Sequence, residues 1–231
     1  MNWPSMLDVR SHHLPRPLAR SAYEVFSRIP MPPSCIYIGI RRLQDETAAS
    51  RLTAILPEVA ANFVCWHVSA VVKLAKHAGI SDVDGAECWS GITGDSSRGA
   101  RYLHVDNDEH ARVQENDLRM PLLGSILYLG PHRGMQGGGT LFLTGDEPPP
   151  RLFRRHPWPR LLALSGAQLV KPTAGTLVLF PGHTPHAVEP ARMDDSDRPR
   201  VTLLVNLWAR RISSVPRGVV CASMLPRRDF R

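Results

Sequence analysis

His104-Val105-Asp106 closes a strand-like run that begins at Arg101-Tyr102-Leu103. On a strand, residues i and i+2 point to the same face, roughly 6.6 Å apart along the chain. An imidazole and a carboxylate so placed can take neighbouring positions on one metal ion. The tripeptide alone is a weak signal, because such triplets occur by chance on surfaces. A second histidine source lies far downstream, in Ala174-Gly-Thr-Leu-Val-Leu-Phe-Pro-Gly-His-Thr-Pro-His186-Ala-Val-Glu-Pro190. Two imidazoles and one carboxylate occupy one face of an octahedral ion and leave the other positions open to substrate, the donor pattern of non-haem Fe(II) sites. Spacing leaves His183 and His186 both in play for the second imidazole. His110 and His132 fall in loop-like stretches, where a solvated side chain suffices as an explanation.

A third run, Arg200-Val-Thr-Leu-Leu-Val-Asn-Leu-Trp208, follows the second histidine. Strand alternation puts Arg200, Thr202, Leu204, Asn206 and Trp208 on one face and four aliphatic residues on the other. The aliphatic face is what a covered sheet surface needs. The first face offers a guanidinium and a hydroxyl, and a guanidinium fork suits a carboxylate. Arg198 stands two residues earlier as a competitor. Tyr128 and Tyr102 lie in apolar strand-like runs, where an aromatic ring serves a core or a ligand equally. Trp89 and Trp208 can wall a pocket or simply pack.

The elements that would position these residues change character along the chain. Residues 1–35 carry Pro4, Pro15, Pro17, Pro30, Pro32 and Pro33 and read as irregular surface chain. Residues 36–40 read as a short strand. Residues 45–56 have helical spacing behind Asp45, and residues 58–78 extend it after Pro57, with Gly79 as the stop. Beyond Gly85 come short β-like runs at 87–92, 99–106, 125–130, 139–143, 168–171, 175–180, 186–190 and 200–208, separated by Gly, Pro and Asp. Helices first and strands later predict an α+β protein, with N-terminal helices packed against a jelly roll. Residues 144–167, rich in proline and arginine, read as a long functional loop. There is no internal repeat.

Composition removes several function classes. The chain has 231 residues, 43% apolar and 21% charged, ordinary values for a folded protein of one good-sized domain. No run approaches the roughly 20 apolar residues of a membrane helix. The N-terminus lacks the apolar stretch of a secretory signal. Cys35, Cys65, Cys88 and Cys221 are widely spaced, without a CxxC pair, which predicts reduced thiols in a cytoplasmic protein rather than a zinc ribbon or a disulfide scaffold. The formal charge of +7 comes almost wholly from arginine, since only Lys73, Lys76 and Lys171 are lysines. These arginines are scattered rather than striped, so no nucleic-acid partner is expected.

Taken together, HxD at His104/Asp106, Gly137-Gly-Gly-Thr-Leu-Phe142, the Gly-x-x-x-x-Phe-Pro turn, His-x-Val-x-Pro at 186–190 and the arginine strand resemble the Fe(II)/2-oxoglutarate-dependent dioxygenases, in particular their prolyl-4-hydroxylase-like branch. The resemblance spans about residues 86–208. It implies a double-stranded β-helix core there, with 1–85 as N-terminal extension and helices and 209–231 as tail, all in a single domain. It implies His104, Asp106 and His186 as metal ligands, with His183 a neighbour. It also implies Fe(II), O₂, 2-oxoglutarate as cosubstrate and ascorbate as accessory reductant. By the same resemblance Arg200 anchors the C5 carboxylate of 2-oxoglutarate, with Thr202, Tyr128 and Tyr102 as its candidate neighbours. The implied reaction oxidises a substrate C–H bond and releases succinate and CO₂. Asp106 fills the carboxylate position, unlike the halogenase variant. A small molecule such as an amino acid or natural-product intermediate is the expected substrate, because no peptide- or carrier-binding appendage is evident. A peptidyl or prolyl-type protein hydroxylase is the alternative. The nucleic-acid dealkylating branch is disfavoured, since its second arginine is missing from 200–208. A non-catalytic cupin-like binding protein is the alternative from another class, with no reason to keep this set of side chains.

Overall fold

The computed structural model describes residues 7–28, 36–40, 52–93, 103–130, 134–146, 149–193, 199–212 and 221–222. Its centre is a seven-stranded antiparallel sheet built from β1 (Asp8–Arg10), β2 (Ile36–Gly39), β3 (Gly85–Thr93), β4 (Leu123–Gly130), β8 (Leu177–Pro181), β11 (Arg200–Trp208) and β12 (Cys221–Ala222). The strand order is β1-β8-β4-β11-β3-β2-β12. A smaller antiparallel sheet holds β7 (Ala167–Val170), β6 (Thr140–Leu143) and β9 (His186–Val188), and β5 (Met135–Gly137) pairs with β10 (Ala191–Met193).

Two helices cover one face of the large sheet. In α1 (Arg16–Arg28) Ala19, Ala22, Tyr23 and Phe26 are buried, and in α2 (Glu58–His77) Ala60, Ala61, Val64, Val68, Val71 and Val72 are buried. Both sets recur at the 3–4-residue spacing of one helix face. They pack on Val201, Leu203, Val205 and Leu207 of β11 and on Leu127 and Leu129 of β4. The aliphatic face expected for 200–208 is thus the helix-covered one. The opposite face, with Ile126, Tyr128, Val178, Phe180 and Leu204, packs on Phe142 of the small sheet and on Leu7. Alternation along β4 and β8 divides successive side chains between these two cores. A third cluster, Leu103, Leu141, Leu143, Leu161 and Ala187, lies on the other side of the small sheet. The short helix α3 (Trp158–Leu162) contributes Leu161 to it from within the 144–167 segment.

The irregular reading of residues 1–35 needs correction. Pro15 and Pro17 sit at the start of α1, where a fixed φ and a missing N–H do no harm, while Pro4, Pro30, Pro32 and Pro33 lie outside the described residues. Asp8–Arg10 adds an edge strand to the large sheet through β8. Strand β2 likewise pairs with β3, so chain before residue 86 completes the sheet. Of the helix expected over 45–56, residues 45–51 lie outside the described residues and Leu52–Leu56 form a turn. Tyr102, Arg198, His132 and Cys35 also lie outside the described residues. Among the described residues no helix is long and apolar enough to cross a membrane.

Candidate metal and carboxylate site

Leu103 and His104 belong to no named strand, but a reciprocal pair of backbone hydrogen bonds joins His104 to His186 at the start of β9. That bridge sets the two imidazoles side by side, with ring centroids 4.3 Å apart. Asp106 shares the face of His104. Its Oδ1 lies 3.8 Å from His104 Nε2 and 3.7 Å from His186 Nε2. One ligand atom from each of the three lies within 4.8 Å of the others, and among the described residues no other such group of His, Cys, Asp and Glu occurs. His183 is exposed in the turn after β8 and is not part of the group.

Two observations test whether the three side chains suit a metal ion. Asp106 Oδ2 is buried and meets no hydrogen-bond partner, a costly state for a carboxylate oxygen unless a cation faces it. His186 Nδ1 lies 3.0 Å from the carbonyl oxygen of Thr184. A carbonyl only accepts, so Nδ1 carries the proton and Nε2 presents its lone pair toward Asp106. The donor set therefore fits a divalent transition metal held by one carboxylate and two imidazoles. Exposure of the three side chains falls from 26% at His104 to 13% at Asp106 and 4% at His186, so the centre opens on the His104 side.

The rings of Phe142 and Phe180 enclose His186, at 5.9 and 5.1 Å between centroids. Phe142 is also the β6 residue paired with His186, and two residues earlier on the same strand stands Thr140. There a second polar group collects. The Tyr128 hydroxyl donates to Thr140 Oγ1 at 2.7 Å, and an Arg200 Nη2 hydrogen is directed to the same oxygen at 3.4 Å. The Arg200 guanidinium carbon lies 5.3 Å from the Tyr128 ring centroid. Arg200, Tyr128 and Thr140 are all buried. Burial pushes the Tyr128 phenol above its ordinary value, while Arg200 and the bond to Thr140 pull the other way. Since Thr140 Oγ1 accepts from both neighbours, its own proton is left to donate. A guanidinium beside such a hydroxyl receives a carboxylate. Gly138, at φ +73°, lies over this group; a Cβ there would stand 3.3 Å from Arg200 Cδ.

Thr202, on the same face as Arg200, donates its hydroxyl to the Gly91 carbonyl at 3.3 Å. Trp208 Nε1 donates to Glu87 at 3.2 Å, and Trp89 packs on the helix-side core. Sequence reasoning missed Thr140, Phe142 and Phe180 as site residues. The Gly-Gly-Gly-Thr-Leu-Phe motif marked the first two, but their role depends on a contact between sheets that local spacing does not contain.

No family model and no curated protein matches the chain. Solved structures do. A Pseudomonas putida prolyl-4-hydroxylase is 20% identical, covers 88% of this chain and 85% of its own, and superposes with a TM-score of 0.50. EvdO2 from Micromonospora carbonacea var. aurantiaca is 15% identical over 91% and 89%, with a TM-score of 0.47. A Trichoplax adhaerens prolyl hydroxylase, solved with a hypoxia inducible factor peptide fragment, is 12% identical over 89% and 84%, with a TM-score of 0.46. In fold, the chain is similar to the prolyl-4-hydroxylase-like 2OG-Fe(II) oxygenases.

Proposed function

We propose that the chain is an Fe(II)- and 2-oxoglutarate-dependent oxygenase that oxidises a C–H bond of a small organic molecule. The observation that carries this reading is the pairing of two sites along one small sheet. The His104–Asp106–His186 group stands at one end of the β6–β9 pair, and the buried Arg200–Tyr128–Thr140 group stands two residues along it. A short keto acid can thus face the metal with one end and the guanidinium with the other. The large and small sheets are then the two walls of a double-stranded β-helix, and residues 1–231 form one domain.

Each side chain has its own task. His104, Asp106 and His186 hold the metal, with the Thr184 carbonyl keeping the His186 lone pair on Nε2. Arg200 neutralises the distal carboxylate of the keto acid, and Thr140 donates its free proton to that group. Tyr128, kept protonated by burial, fixes Thr140 in the accepting orientation its own hydroxyl requires. Phe142 and Phe180 exclude water on the His186 side. Bound ferrous iron would supply O₂ activation coupled to oxidative decarboxylation of the keto acid to succinate and CO₂.

The test incubates Fe(II)-loaded protein with 2-oxoglutarate, O₂ and panels of free amino acids and of proline-containing peptides, and measures succinate. Stimulation by a free small molecule supports the proposal. Stimulation by peptides alone moves the substrate to the prolyl-hydroxylase alternative. Succinate formation that is absent under every condition contradicts the oxygenase reading.

A further inference from the structure

Gly124 lies in the interior of β4, where a glycine weakens a strand and calls for a reason. Its backbone conformation supplies none, because its φ is not in the left-handed range. Space supplies one. Gly124 is the direct cross-strand partner of Phe180, and a Cβ built on it would stand 2.4 Å from both Cε2 and Cζ of that ring, and 3.1 Å from Cδ2. The ring thus occupies the room a side chain at 124 would take. Phe180 is only 1% exposed, and it is pressed from other sides by Phe142 at 5.0 Å and His186 at 5.1 Å between ring centroids.

We infer that Gly124 is a positioning residue for the metal centre, acting through Phe180 on the His186 imidazole. This rests on the metal reading above. The hydrogen bond from Nδ1 to the Thr184 carbonyl fixes one edge of the His186 ring but leaves rotation about that contact open. Phe180 and Phe142 close that rotation, so Nε2 stays aimed at the Asp106 carboxylate. A methyl group at 124 has no free volume to enter. It moves the Phe180 ring, and a close-packed interior hands that displacement to His186. In the ladder, position 124 pairs with Phe180 and Asn206, and not with Thr140 or Tyr128 of the group around Arg200.

The experiment titrates the apoprotein with Co(II), following visible ligand-field absorption and calorimetric affinity, for wild type, Gly124→Ala, Phe180→Leu and the double variant. Far-UV circular dichroism establishes folding. Gly124→Ala should weaken Co(II) binding by about 10- to 100-fold, the range for losing the support of a metal ligand. It should also alter the absorption bands, which a loss of stability alone does not do. Phe180→Leu should weaken binding by about tenfold, because nothing then stops the imidazole turning. In the Phe180→Leu background, adding Gly124→Ala should change affinity by less than about twofold, since the leucine leaves room for the methyl. Should Gly124→Ala alone fail to fold, the Phe180→Leu and double variants still decide. Wild-type affinity in Phe180→Leu, or equal losses from Gly124→Ala in both backgrounds, overturns the inference while the metal reading stands. Failure of the wild type to bind one Co(II), or binding that survives His186→Ala, overturns the metal reading itself and this inference with it.

Discussion

Replacing Arg200 by methionine removes the positive charge from the proposed carboxylate-binding group of Arg200, Tyr128 and Thr140. Arg200 is 3% exposed, and its contacts include a hydrogen bond of 3.4 Å to Thr140 and a ring contact of 5.3 Å with Tyr128. The stronger 2.7 Å bond between Tyr128 and Thr140 does not need the guanidinium. The ring contact is worth about 0.5–2 kcal/mol, and far-UV circular dichroism with retained Mn(II) binding establishes that the variant is folded. Losing a charge-assisted partner in a desolvated site costs roughly 2–4 kcal/mol, or about 30- to 1000-fold in affinity. Calorimetry of 2-oxoglutarate with Mn(II)-loaded protein reads this directly, and succinate formation against 2-oxoglutarate concentration reads it as KM. Arg200→Lys should recover only part, because an ammonium lacks the fork. Exposed Arg192→Ala is the matched control and should be silent. Wild-type 2-oxoglutarate affinity in Arg200→Met, with Mn(II) binding retained, would refute the assignment of this group.

Thr140→Val should weaken 2-oxoglutarate by about 0.5–1.5 kcal/mol, a few-fold in calorimetry, since it removes the one hydroxyl proton aimed at the carboxylate. His104→Ala, Asp106→Ala and His186→Ala should each abolish succinate formation, whereas exposed His183→Ala should keep a substantial fraction; the opposite pattern at 183 and 186 would reassign the ligand. His67 is buried in α2 with neither ring nitrogen partnered, and burial, aided by His13, lowers its pKa from 6.5 to about 3. Its neutral form is the folded one, so its contribution is complete above pH 6.5 and is lost as pH falls from there toward 3. At about 1.4 kcal/mol per unit this is on the order of 5 kcal/mol at most. Urea midpoints between pH 7 and 4 should fall less steeply in His67→Leu than in wild type, and parallel curves would contradict the reasoning. Cys88 is buried and its thiol is pushed up, so in native protein it should resist alkylation at pH 8 until urea unfolds the chain.

What the sequence disclosed follows physical range. The period-two pattern of 200–208 identified both faces of β11, because alternation is a local property that survives folding unchanged. Helix 58–77 was visible from its apolar spacing and from Gly79. Helix α1 was not, because proline is read as a breaker although at a helix start it is harmless. His104 and Asp106 could be proposed from residue type and spacing, whereas the choice of His186 over His183 came only from the resemblance carried by His-x-Val-x-Pro. Thr140 could not be proposed, since its meaning comes from Tyr128 and Arg200 on strands of the other sheet. Gly124 is the extreme case. A strand glycine without a conformational need says only that something comes close, and the chain does not say what.

The most direct test of the central claim is an anaerobic titration of the apoprotein, first with Fe(II) and then with 2-oxoglutarate, followed in the visible. A metal that holds the keto acid through its keto oxygen gives a weak charge-transfer band that neither component shows alone. The account predicts that band in wild type at one equivalent of iron, its loss in His186→Ala, and a requirement for far more 2-oxoglutarate in Arg200→Met. A protein that binds Fe(II) but never develops the band with 2-oxoglutarate would contradict the account.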